Sequence, residues 1–189
     1  MFDKKFLDEV AMVSQLFRPG ASPLVNFIQS CPYTEIDKIF IIVKIILDSG
    51  ADVNEKSKNG NTALMLASFK VDTKLVSLLL DAGANVNEKN NNGETALIRA
   101  CFGGHIDLVK MLLDAGANVN EKNNNGETVL MLATKRNQKK IVEMLLNTGA
   151  DIHQKNRNGE TVFDMAKGHK TKELDDFLTQ FLNSEIKKI

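Results

Sequence analysis

An excess of either charge, a framework of cysteines and a long apolar run are all absent from this chain, and each absence removes a class of function. Lys and Arg number 24 together, as do Asp and Glu, so the formal net charge is zero. A general binder of nucleic acid or of an anionic membrane needs a basic field to recruit phosphate, so neither partner is expected. Two cysteines, Cys31 and Cys101, cannot frame 189 residues with disulfides. A reduced compartment is the simpler expectation, with the protein cytoplasmic or translocated into a host cell. The longest apolar run, Ile39 to Leu47, is interrupted by Lys44 and is far too short for a bilayer. The opening stretch MFDKKFLDEVAMVSQLF sets Asp3, Asp8 and Glu9 among its apolar positions and is not expected to act as a signal peptide. The three histidines, His105, His153 and His169, stand far apart with no cysteine at ligand spacing, so no metal site or cofactor is expected.

What the chain has in abundance is itself. DAGANVNEKNNNGET occurs at Asp81 to Thr95 and again, letter for letter, at Asp114 to Thr128, 33 residues later. Aligning Gly60–Asn92 with Gly93–Asn125 gives 22 identities in 33 positions, which chance does not produce. Gly-x-Thr recurs at Gly60, Gly93, Gly126 and Gly159, and Gly-Ala at Gly50, Gly83, Gly116 and Gly149. A fixed period of this length means a stacked array whose units bury their apolar faces only against one another.

Each period carries the signals of helix, turn, helix and polar loop. Thr95 can cap a helix whose Ala96, Leu97 and Ala100 offer a small-residue face. Gly103-Gly104 turns the chain, and Ile106, Val109, Leu112 and Leu113 form the stripe of a second, amphipathic helix. Gly116 stands where a left-handed C-terminal residue is wanted, and Asn125-Gly126 is a tight-turn signal.

At the N-terminus Phe6, Val10, Val13 and Phe17 fall at helical spacing, as in a lid over the first unit or a partner-binding helix. The first unit is seven residues longer than the others, with the excess around Cys31–Asp37 and the single tyrosine, Tyr33. That excess reads either as an insertion on a used face or as an extra helical turn. In the last unit Leu174, Phe177, Leu178, Phe181 and Ile186 make the stripe of a terminal cap.

The units resemble ankyrin repeats. The family's pattern appears as Gly93-Glu94-Thr95-Ala96-Leu97-Ile98, Ala100-Cys101, Gly104-His105, Val109, Leu112-Leu113 and Gly116-Ala117-Asn118-Val119-Asn120. The likeness spans about Gly20 to Phe181. Two features depart from it: the motif's proline survives only as Pro23, and its histidine is replaced by Val25, Met65, Ile98, Met131 and Asp164. Helix starts should weaken while the core becomes more aliphatic. The resemblance implies an all-α solenoid of about five stacked helix-turn-helix units with hairpin-like loops. The expected segments are a capping helix over 1–19, a first unit with insertion over 20–59, units over 60–92, 93–125 and 126–158, and a capping unit over 159–189.

No catalytic constellation emerges. Cys101 reads as a buried hydrophobe, His105 as a structural hydrogen-bonding residue, and Glu94, Glu127 and Glu160 as an exposed, solvated ladder. The resemblance instead implies a non-catalytic protein-interaction module that docks a partner protein on its concave side. The matching positions are the loop residues Lys58, Asn61, Asn91, Glu94, Asn124, Glu127, Arg157 and Glu160, with Phe69, Lys70, Phe102, Lys135 and Arg136 from the first helices. Phe69 and Phe102 read either as adjacent exposed anchors or as covers over the inter-helix turns. Lys135, Arg136, Lys139 and Lys140 read either as a site for an acidic patch or as a solvated surface balanced by Glu143 and Glu160. Capped ends argue for a monomer. Self-association, and an effector acting on host-cell proteins, are the competing roles.

Overall fold

The computed structural model describes residues 22–30, 36–168 and 172–186. The expected N-terminal helix, the Tyr33 segment and His169 lie outside these. The described residues form ten α-helices and no strands: α1 (Pro23–Ser30), α2 (Ile36–Asp48), α3 (Ala63–Lys70), α4 (Thr73–Asp81), α5 (Ala96–Gly103), α6 (Ile106–Asp114), α7 (Val129–Lys135), α8 (Lys139–Asn147), α9 (Val162–Ala166) and α10 (Glu173–Ile186). The hairpin-like character of the loops is slight. Among the described residues it consists of one isolated antiparallel bridge, Lys122 with Thr128, and of tip turns closed by a backbone bond such as Asn90 N–H to the Glu94 carbonyl.

The helices form two layers. The first helices α1, α3, α5, α7 and α9 stack in that order, and α10 packs on α9. Small buried residues, Ala63, Ala67, Ala96, Ala100 and Ala133, let the first helices approach closely. The second helices turn Leu75, Val76 and Leu79, Leu108, Val109 and Leu112, and Ile141, Val142 and Leu145 inward. Leu108 takes the fully buried place that the sequence suggested for Ile106, which is only partly covered. Met65, Ile98 and Met131, which stand for the missing histidine, are at most 1% exposed. The aliphatic core expected from that exchange is present.

Capping satisfies the backbone groups that helix starts leave unpaired. Thr62, Thr95 and Thr128 each accept the backbone N–H three residues on, at 3.3 Å. The first unit does this differently. Ser22 Oγ donates to the Lys56 carbonyl, and the Glu55 carboxylate accepts the N–H groups of Leu24 and Val25 at 2.7 and 3.1 Å. Burial raises the Glu55 pKa, and the two backbone hydrogen bonds oppose that rise. Asp72 caps α4 through Leu75, whereas His105 makes no side-chain capping bond at α6, against expectation. At the turn between first and second helices Gly104 and Asn137 take φ of 70° and 56°. Val71 is held at 63° in the same column, a strained setting for a β-branched residue that its contact with the core retains.

Between units runs a ladder of asparagines. Asn54, Asn87 and Asn120 each donate Nδ2 to the carbonyl of Gly83, Gly116 and Gly149, at 3.3, 3.1 and 3.2 Å. Their Oδ1 atoms accept the N–H of Asn85, Asn118 and Asp151 at 2.7 to 2.8 Å. A second ladder joins the loop tips, where Asn91, Asn124 and Arg157 donate their N–H to Asn59, Asn92 and Asn125.

Two glycine columns, both at positive φ, play different parts. A Cβ at Gly93 would lie 2.9 Å from the Asn124 backbone nitrogen, whereas one at Gly116 would meet nothing within 4 Å. Gly116 therefore serves conformation alone, and Gly93 serves conformation and close stacking. Gly116→Ala is expected to cost about 1–2 kcal/mol from the left-handed backbone. Gly93→Ala is expected to cost about 1–3 kcal/mol more from overpacking. Urea titrations of the two variants measure the difference, and equal losses would refute the stacking role.

The C-terminal end combines a small buried core with exposed polar contacts. Leu174 and Leu178 are buried, with Phe177, Phe181 and Leu182 partly so. Lys139 Nζ lies 2.6 Å from Glu173 Oε1 and 5.9 Å from the Phe177 ring centroid. At α9 the Asp164 carboxylate accepts the Thr161 N–H and hydroxyl at 2.9 and 2.8 Å. The Lys139 hydrogen bond lowers the Glu173 pKa from 4.5, and the Thr161 bonds lower that of Asp164 from 3.8. A depressed carboxylate contributes stability that is full above its unfolded pKa and is lost as pH falls through the folded one. The α9–α10 end should therefore loosen first as pH drops below about 4. Hydrogen exchange should show α10 amides losing protection before those of α5, and simultaneous loss would refute a separately titrating end.

Candidate interaction face

The first helices and the loop tips share one side of the stack, and thirteen residues were expected there. The tips are built by a closed hydrogen-bond ring. Asn90 Oδ1 accepts the N–H groups of Asn92 and Glu94, both at 2.9 Å, and its Nδ2 donates to Glu94 Oε2 at 3.0 Å. Asn123 does the same with Asn125 and Glu127. Asn156 repeats the ring with Asn158 and Glu160.

This ring corrects the expectation of a solvated carboxylate ladder. The Glu127 residue is 9% exposed and Glu94 is partly buried; only Glu160 is open to solvent. The carboxylates turn inward because the asparagine amide and a nearby cation compensate their loss of water. For Glu127 that cation is Lys135, 3.7 Å away. For Glu94 it is Arg99, whose Nε lies 3.1 Å from Oε2 but out of line for a hydrogen bond.

Arg99 escaped the sequence reading. Its column runs Leu66, Arg99, Leu132, Met165, so the available signal was one arginine in an otherwise apolar series. From there it reaches Asn61 Oδ1 at 3.2 Å, and its guanidinium carbon stands 5.5 Å from the Phe69 ring centroid. Asn61 also accepts the Asn90 amide at 2.9 Å.

The two phenylalanines differ. Phe69 is 51% exposed, whereas Phe102 is partly covered and carries the Arg136 guanidinium 4.4 Å from its ring centroid. They are therefore not an equivalent pair, because the residue 34 positions beyond Phe102 is a stacking arginine and the one beyond Phe69 is Gly103. Lys70 donates to the Ile28 carbonyl. Asn91 and Asn124 lie on exposed tips, but their amides are engaged with the carbonyls of Lys58 and Asn91. Lys58 and Arg157 are exposed tips with no carboxylate in ion-pairing range among the described residues.

Two of the four cations in the basic cluster of the fourth unit are balanced, though not as expected. Lys135 turns to Glu127 and Lys139 to Glu173, with Glu143 acting on Lys139 only through its field. Cys101 is fully buried, its thiol 3.2 Å from Gln138 Oε1, and burial pushes its pKa up to about 12. That thiol is no nucleophile at neutral pH. A groove of about 540 Å³ lies on the other side between α2 and α4, lined by Phe40, Ile41, Lys74, Ser77, Leu78 and Asp81.

Among the described residues, no group of three or more His, Cys, Asp or Glu could hold a metal ion, and no helix is long and apolar enough to cross a membrane. No curated protein matches the chain. Three overlapping stretches, residues 35–123, 74–156 and 115–174, match the family described as ankyrin repeats in three copies. With stacked helix pairs on a 33-residue period and family matches running from 35 to 174, this chain belongs to the ankyrin-repeat family.

Proposed function

We propose that the chain binds a partner protein, without catalysis, through the side formed by its first helices and loop tips. Ankyrin repeats are generally modules of protein–protein interaction and are typically non-catalytic. The observation that carries the finer reading is Phe69. An aromatic ring that is 51% exposed stands amid polar tips, already held by a guanidinium that is itself mostly buried. Rigid aromatics beside arginine are what interface anchors are made of, since little side-chain freedom is lost on binding. Leu66, one helical turn earlier and partly buried, extends the apolar spot.

The test is capture of partners from native lysate by the full chain, followed by affinity measurement on the purified partner. Phe69→Ala removes a half-exposed side chain, so its circular dichroism and melting should stay near wild type. The partner's affinity is expected to fall about 30-fold or more, as for a hot-spot residue. Unchanged affinity in the folded variant would remove this face from the reading. Light scattering over a range of concentrations separates it from self-association, which predicts a mass that grows with concentration.

A further inference from the structure

We infer that the partner segment recognised here is an acidic polypeptide stretch carrying an apolar anchor. This rests on the interaction face proposed above and adds the chemistry of its occupant.

The tips and first helices contribute Lys58, Lys70, Arg99, Lys135, Arg136 and Arg157, against Glu94, Glu127 and Glu160 from the same columns, in a chain whose net charge is zero. Internal pairing removes two charges of each sign and leaves that excess standing at the surface. Glu94 and Glu127 are turned into the asparagine rings and offset by Arg99 and Lys135. Lys58 and Arg157 meet no carboxylate among the described residues, and Arg136 lies exposed over an aromatic ring. The exposed carboxylates on this side, Glu160 and Asp164, sit together in the last unit and already accept hydrogen bonds from Asn156 and Thr161. From α3 to α7 the outward field is therefore positive, with Phe69 as its apolar centre.

That pattern suits carboxylates spaced around a hydrophobic side chain. A charged rim steers a partner of opposite sign, while the apolar anchor supplies the desolvated centre. A phosphate backbone fits less well. Nucleic-acid affinity grows with the number of phosphates neutralised, and here the open cations are few and bounded by Glu160 and Asp164.

The probe is a phage-displayed random dodecapeptide library panned against the immobilised full chain. Recovered peptides are synthesised and titrated by fluorescence anisotropy against wild type, Phe69→Ala, Lys58→Glu and Arg136→Glu. Each variant is first checked by circular dichroism; Lys58, on an exposed tip, keeps the charge test open should Arg136→Glu unfold. Enriched peptides should place Asp and Glu around a Leu, Ile or Phe. Their binding should weaken about tenfold or more in Phe69→Ala and in the charge reversals. It should also weaken between about 50 and 300 mM salt. Neutral or basic peptides that still depend on Phe69 would overturn the acidic preference and leave the face standing. Acidic peptides indifferent to all three substitutions would overturn both. Failure to enrich any peptide, or tighter binding of a thymidine 20-mer that depends on Lys58 and Arg136, would overturn the acidic-segment inference.

Discussion

One amide side chain per unit holds this stack in register. Asn54, Asn87 and Asn120 each use both ends of the carboxamide, donating to a glycine carbonyl 29 residues on and accepting a backbone N–H 31 residues on. A side chain that must satisfy both at once tolerates only one offset between neighbours. The glycines it reaches, at Gly83, Gly116 and Gly149, are the left-handed residues that end the second helices. The exit of one helix pair is thereby tied to the loop of the pair before it. Buried leucines alone would supply cohesion between layers without fixing the offset, because apolar contact is non-directional.

The same economy of polar groups shapes the surface. Each tip asparagine closes a ring on a glutamate four residues later, and at Asn90 and Asn123 that carboxylate is drawn in from solvent. At Asn90 and Asn123 a cation completes the arrangement, and at Asn156 none does among the described residues. What the surface presents is therefore set by which charges the fold has already consumed. A count of charged residues along these loops overstates both the acid and the cation left open at the surface. Phe69 follows the same logic in reverse: its column lacks the arginine that covers Phe102, so it remains open.

The ends of the array depart from the repeat where a neighbour is lacking or changed. Ahead of the second unit, a glutamate from the loop replaces the threonine cap and reaches the start of α1. At the far end, Asp164 takes the position of the buried Met65, Ile98 and Met131 and caps its own helix from solvent. An exposed carboxylate is tolerated there because α10, held through Leu174 and Leu178, packs on α9 in place of another repeat.

The 33-residue period, the threonine caps, the left-handed glycines and the small-residue faces were all legible in the sequence. Each is a local demand of backbone geometry or of helical spacing, and repetition displayed it four times over. Arg99 was not legible as a member of the face, nor were the burial of Glu127 and the difference between Phe69 and Phe102. The first and the last depend on residues 30 to 38 positions apart that become neighbours only when units stack: Arg99 with Asn61, Arg99 over Phe69, Arg136 over Phe102. By itself the sequence determined the unit and its way of stacking. Only the tertiary structure decided which side chains stay open at the surface, because exposure is a property of the neighbour across the stack and not of the residue itself.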